Sequence, residues 1–250
     1  MSNIADRQSS AAGPPGQFAT THWSLVRAAG DEQHPHSRAA LSELCEAYWL
    51  PLYAFLRRSG RAPEDAEDLT QGFLADLLDR RDLRRVDPQL GKFRSFLLAS
   101  LQHFLANEHD RRMTLKRGGG RTIVSLDAAS AESQCAIEPA DRHTPEREFD
   151  RQWAMVLLRR TLEGLRSEQT AAGNAEQFER LKGFLTGEGN DVGYAELAQQ
   201  TGSTVDAVKQ SVSRLRRRYR ERLRQEISQT VSAPGEVDDE IRDLFKALRG

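Results

Sequence analysis

The segment Tyr194–Arg224, YAELAQQTGSTVDAVKQSVSRLRRRYRERLR, restricts this chain to few arrangements. Its rhythm predicts a helix, a tight turn and a second, strongly basic helix. Leu197 and Ala198 fall on the inner face of the first helix. Gly202 suits a turn that needs a positive φ. Ser203 is placed to cap the next helix, with Asp206 three residues on as its capping-box partner. Val205, Val208, Val212, Leu215, Tyr219 and Leu223 recur at helical spacing and define the buried stripe. Thr204, Asp206, Lys209, Gln210, Ser213, Arg214 and Arg217 are left on the outer face, as residue types that hydrogen-bond to bases and phosphates.

This is the pattern of a helix-turn-helix whose second helix enters a DNA groove. Residues 204–224 hold eight Lys or Arg against two Asp or Glu. Such a face attracts the phosphate backbone with salt-dependent affinity. A solvated basic helix packed on a neighbour would carry similar charge. The spacing of Ala198, Gly202 and Val208 favours the helix-turn-helix, because a small residue permits a close crossing and a glycine closes the turn.

The whole chain is not basic. Its 36 Lys and Arg are balanced by 37 Asp and Glu, so the C-terminal cations are offset elsewhere. With 29% charged and 38% hydrophobic residues, 250 residues suit one large or two small helical domains. Cys45 and Cys135 lack metal-ligand spacing, which points to a reduced, cytoplasmic protein. No apolar run is long enough to cross a membrane.

Residues 1–17 read as a disordered tail. Trp23, Leu25 and Val26 begin a short helix. Leu41, Leu44, Cys45, Tyr48, Leu52, Phe55 and Leu56 mark a long amphipathic helix, which Pro51 is expected to kink or restart. Ser59-Gly60 ends it and Pro63 begins the next. That helix has Ala66, Leu69, Phe73 and Leu77 on its apolar side, and Glu64, Asp65, Glu67 and Asp68 in its first turns. A loop covers 79–91. A helix over 92–112 carries Phe96, Leu97, Ser100, Leu101, Phe104, Leu105 and Glu108 on one stripe. Residues 113–147, with Gly118-Gly119-Gly120, read as a linker. Helices around Phe149–Leu165 and Phe178–Leu185 precede the helix-turn-helix. The acidic end, 232–250, predicts a last amphipathic helix through Ile241, Leu244, Phe245 and Leu248. The expected fold is all-α. Two small helical domains, 18–112 and 148–231, are joined by a flexible linker.

No phosphate-binding glycine loop, nucleophile or metal set stands out, so no enzyme activity and no cofactor are expected. Asp65 and Asp68 share a helical face and could hold Mg²⁺, but a solvated or partner-facing acidic surface is the simpler reading. Lys92, Arg94, Arg111 and Arg112 surround Phe93, Phe96, His103 and Asn107. Cations beside aromatic rings suit unstacked single-stranded bases. Phe96 and Phe104 read as core, whereas Phe93 stands at the loop-to-helix boundary and fits either role.

An acidic helix, a cationic-aromatic helix, a linker and a helix-turn-helix follow one another in that order. In this the chain resembles the extracytoplasmic-function sigma factors of bacterial RNA polymerase, over about residues 20–231. YWLPLYAFLRRSGRAPEDAEDLTQGFLADLL (48–78) is similar to the family's domain 2, GKFRSFLLASLQHFLANEHDRR (91–112) to its promoter-melting segment, and Phe149–Arg224 to its domain 4. SLD at 125–127 resembles a short linker motif that follows domain 2. The resemblance implies docking on core polymerase through Asp65, Asp68, Gln71 and Phe73. It implies −10 contacts from Lys92, Phe93, Arg94, His103, Asn107, Arg111 and Arg112. It also implies −35 contacts from Thr204, Asp206, Lys209, Gln210, Ser213, Arg214 and Arg217. Core polymerase, promoter DNA and an anti-sigma factor or other regulator are the partners it implies. The melting segment departs from the family in being poor in Trp and Tyr. Two other readings stay open, a repressor or activator that uses only its helix-turn-helix and a metal-dependent nucleic-acid enzyme. The charge of the tail, opposite to that of the basic helix, also suggests that it folds back on that helix.

Overall fold

The computed structural model of the protein describes residues 23–31, 33–79, 83, 86–87, 91–114, 144–186, 191–228, 230–231 and 234–249. The expected N-terminal tail, most of the linker with its three glycines, and Cys135 lie outside the described residues. The architecture is all-α. The helices are α1 (Trp23–Gly30), α2 (Ser37–Arg58), α3 (Pro63–Asp79), α4 (Phe93–Thr114), α5 (Pro145–Ala171), α6 (Ala175–Leu181), α7 (Gly183–Thr186), α8 (Asp191–Thr201), α9 (Val205–Ser228) and α10 (Val237–Arg249). A 3₁₀ turn, Pro234–Glu236, leads into α10.

The centre is α2. Residues 47–56 are buried without interruption, so this helix is covered all round rather than along one stripe. Helices α1, α3 and α5 pack against it. Pro51 does not restart the helix, which runs through it to Arg58, and the proline ring is part of the buried surface. Leu52, Tyr53 and Leu56 are fully buried, and each such side chain contributes about 1.5–3 kcal/mol of hydrophobic stabilisation.

Two apolar clusters divide the chain at a different place from the boundary expected at 148. Phe149, Trp153, Ala154 and Leu157 of α5 belong with α1–α4, and so do Leu223 and Ile227 of α9 and Leu244 of α10. The second cluster holds Leu165 of α5, Phe178, Leu181, Phe184, Leu197, Ala198, and Val208, Val212 and Leu215 of α9. The 27-residue α5, about 40 Å long at 1.5 Å per residue, therefore serves both cores. So does α9. The two helices cross closely at Gly164, where a Cβ would collide with the guanidinium of Arg222.

Local signals set the helix ends. Thr144 caps α5, its Oγ1 accepting from the Arg147 amide at 3.3 Å, and Pro145 follows in the first turn. The helix expected over Phe178–Leu185 is broken into α6 and α7, with Lys182 between them.

Candidate nucleic-acid interface

The turn between α8 and α9 closes through the backbone. Gly202 has φ +62°, the left-handed region. Its amide donates to Gln199 O at 3.3 Å, and the Ser203 amide donates to Ala198 O at 2.9 Å. This pair is the double-bonded Schellman ending that a left-handed glycine permits. It uses the Ser203 backbone, and the Ser203 hydroxyl lies 2.7 Å from that of Thr201. The cap of α9 is Thr204 instead, whose Oγ1 accepts from the Ala207 amide at 3.2 Å. The expected capping box of Ser203 with Asp206 is replaced by a cap one residue later. Val205, expected in the buried stripe, is exposed, because it opens the helix before the stripe meets the core.

From Val208 onward the stripe holds. Val208, Val212, Leu215 and Leu223 are buried and Tyr219 is half-buried. Burial pushes the Tyr219 phenol up to about 12. Its hydroxyl donates to Leu158 O at 3.3 Å, a contact that ties α9 to α5.

Three arginines of α9 reach residues of neighbouring helices. Arg216 donates to Phe184 O at 3.0 Å, Arg218 pairs with Glu168, and Arg222 lies 3.8 Å from Glu168 and 3.7 Å from Glu226. These arginines fasten α9 to its neighbours. Thr204, Asp206, Lys209, Gln210, Ser213, Arg214 and Arg217 are all exposed. From 206 onward their spacing of three and four residues puts them on one side of the helix. Arg214 donates to Ser211 Oγ at 3.0 Å, and Arg217 lies 3.6 Å from Glu221. Both contacts stay within α9 and leave the guanidinium groups at the surface.

No family model, curated protein or solved structure matches the chain. No helix among the described residues is long and apolar enough to cross a membrane. No group of three or more His, Cys, Asp or Glu among them could hold a metal ion.

The residues expected at a −10 element are not brought together. Phe93 is core, with its ring edge-on to Tyr48 at 5.5 Å and to Trp23 at 6.1 Å. Arg94 is buried as well. It sits 4.3 Å over the Trp153 ring, lies 3.2 Å from Asp150, and pairs with Glu240 of α10. Lys92 is half-buried between Glu240, at 2.5 Å, and Asp243, at 2.7 Å. His103 and Asn107 are exposed on α4. The side chains of Arg111 and Arg112 lie outside the described residues. The correction is physical: Phe93 meets Trp23 and Tyr48 before it can meet a base, and Arg94 has its partners inside the protein.

The acidic set on α3 is divided too. Asp65 and Asp68 are exposed in its first turns, and Gln71 donates to Glu67 at 3.1 Å. Phe73 is 2% exposed and packs on Phe104 at 5.7 Å, so it cannot meet a partner. Its place on the stripe with Leu69 and Leu77 already put it in the core.

Sequence reasoning missed the ion cluster on Arg94. Burial pulls the Arg94 guanidinium below its usual value, and Asp150 opposes that pull. Burial raises the Asp150 carboxyl, while Arg94 and Lys92 lower it. The hydrogen bond from Lys92 holds Asp243 below the usual carboxylate range. Ionised Asp243 thus adds stability at pH above the ordinary aspartate value, and this is lost only as pH falls below it. The pair persists at neutral pH.

Proposed function

We propose that the protein is a bacterial transcription initiation factor of the extracytoplasmic-function sigma type, a polymerase subunit without catalytic activity of its own. The observation that carries this reading is the outward row Lys209, Gln210, Ser213, Arg214 and Arg217, held on the second helix of a closed helix-turn-helix. Residues of these types make bidentate contacts to base edges and single contacts to phosphates. The exposed Asp65 and Asp68 on α3 support docking on core polymerase, in the order along the chain that the sequence resemblance implies.

In this reading α9 anchors the −35 element. At the −10 element, His103 and Asn107 on the exposed side of α4 replace Phe93 as the contacts to the opened strand. The anchor needs few phosphate contacts of its own, because the polymerase supplies the rest. That fits a chain whose net charge is −1.

The test is reconstituted transcription. Core polymerase should start at discrete promoters only when this protein is added. Binding of duplex DNA with no stimulation of transcription would favour the alternative, a free-standing helix-turn-helix regulator. The burial of Phe93 is the observation on that side.

Arg214→Ala checks the groove contact. It should weaken promoter binding by about 1–3 kcal/mol if the guanidinium reads a base edge. A quantitative footprint measures this, and an unchanged midpoint removes Arg214 from the interface.

A further inference from the structure

Beside the outward row of α9 lies an open pocket of about 520 Å³, walled by α7, α8 and α9. Small-molecule sites typically enclose about 300–1,000 Å³. Lys209, Ser213, Arg216 and Arg220 line it from one side of α9, at spacings of three and four residues. Leu185 of α7 and Tyr194 of α8 complete the wall. No carboxylate is among the described residues that line it.

The lining is held in place from within the protein. The half-buried Tyr194 ring rests on the buried Phe184 ring, with centroids 4.5 Å apart. Arg216 donates to Phe184 O at 3.0 Å, and a neutral carbonyl leaves the charge of its guanidinium uncompensated. Lys209 Nζ lies 6.0 Å from the Tyr194 ring centroid, at the outer reach of a cation–π contact. Among the described residues neither Lys209 nor Arg220 meets a carboxylate, whereas Arg218 and Arg222 share Glu168. Three uncompensated cations around one concavity attract an anion, and guanidinium groups match the oxygens of a phosphate. An aromatic ring in the same wall suits a planar base, which stacks on it. A nucleotide carries both groups.

We propose that this pocket binds a free nucleotide, with its phosphates on Lys209, Arg216 and Arg220 and its base against Tyr194. Duplex DNA brings the same phosphates, but its bases are paired and stacked and do not reach the ring. Lys209 and Ser213 belong both to the pocket and to the row assigned to DNA. Bound nucleotide and bound duplex therefore exclude one another, which makes promoter binding sensitive to nucleotide concentration. The exclusion rests on the reading of α9 as the duplex contact, whereas the pocket itself does not.

The experiment titrates the full chain calorimetrically with ATP, GTP and inorganic triphosphate. Stacking of the base should make ATP or GTP bind about tenfold more tightly than inorganic triphosphate. Tyr194→Leu should remove that difference and Tyr194→Phe, which keeps the ring, should retain it. Arg220→Gln, at an exposed position that does not threaten the fold, should weaken nucleotide and triphosphate alike by about tenfold, the loss of one charge-assisted contact. Arg38→Gln, which removes the same charge from the exposed start of α2, should weaken neither. Inorganic triphosphate binding as tightly as both nucleotides, equal losses from Arg220→Gln and Arg38→Gln, or no binding of any probe would overturn the pocket. A second arm adds ATP or GTP to a fluorescent duplex already bound to the protein, and the duplex should be displaced. Nucleotide that binds but leaves duplex affinity unchanged would remove DNA from Lys209 and Ser213 and leave the pocket standing. Promoter-specific transcription with no nucleotide binding would sink the pocket and leave the initiation-factor reading standing.

Discussion

Replacing Arg94 with methionine should destabilise the fold by about 3 kcal/mol, as measured by urea unfolding. Removing one member of a buried ion pair typically costs about 3–5 kcal/mol, because the remaining charge is left without its partner. Glu240 is the group left stranded here. Asp150 is 42% exposed on its side chain and can regain water, whereas Glu240 at 2% cannot. Lys92 still holds one oxygen of Glu240, which keeps the expected value at the lower end. Methionine preserves the stem that packs on Trp153 but loses the cation over the ring, a smaller effect of about 0.5–2 kcal/mol.

The double replacement Arg94→Met with Glu240→Leu separates these contributions. Apolar side chains of similar size in place of a buried ion pair are often neutral or stabilising. The double variant should therefore recover most of the loss. A single variant within about 1 kcal/mol of the wild type, or a double variant whose losses simply add, would show that the pair is solvated and not a structural link.

The helix-turn-helix was legible because its determinants are local. Gly202 declares a left-handed turn by having no Cβ, and the apolar spacing from Val208 to Leu223 declares a buried side. The cap was missed by one residue for a local reason as well. Ser203 and Thr204 both carry hydroxyls, and closure of α8 uses the Ser203 amide, which moves the cap to Thr204.

Phe93 shows where such reasoning stops. An aromatic side chain at a loop-to-helix boundary has no periodic neighbours to fix its direction. Trp23 and Tyr48, from two other helices, decide it. The amphipathic reading of α2 failed in the same way. Its apolar positions are visible in the chain, but the side that α5 covers is not, because α5 begins 87 residues after α2 ends at Arg58. Phe73 is the opposite case. Its spacing with Leu69 and Leu77 indicated the core correctly, and the docking role came from the resemblance alone.

Exchanging Asp65 and Asp68 together for arginine should abolish association with core RNA polymerase and leave the protein folded. Both side chains lie at the exposed start of α3. Reversing charge there opposes the helix dipole, which typically costs about 0.3–1 kcal/mol per residue at the surface. The α3 core, built from Ala66, Leu69, Phe73 and Leu77, is untouched. Across an interface the effect is larger. Like charges brought together there cost several kcal/mol, and each 1.4 kcal/mol is about tenfold in Kd, so affinity should fall about a hundredfold or more. The duplex contacts proposed for Lys209–Arg217 stand on the part of α9 that packs in the second cluster, so duplex binding should persist in the same variant. Co-elution with core polymerase, paired with thermal melting and duplex titration, reads all three properties. Normal co-elution by a folded, DNA-competent variant would place the docking surface elsewhere. Loss of co-elution together with loss of duplex binding would instead mean that the substitution had spread beyond α3, through the α5 and α9 helices that join the two cores.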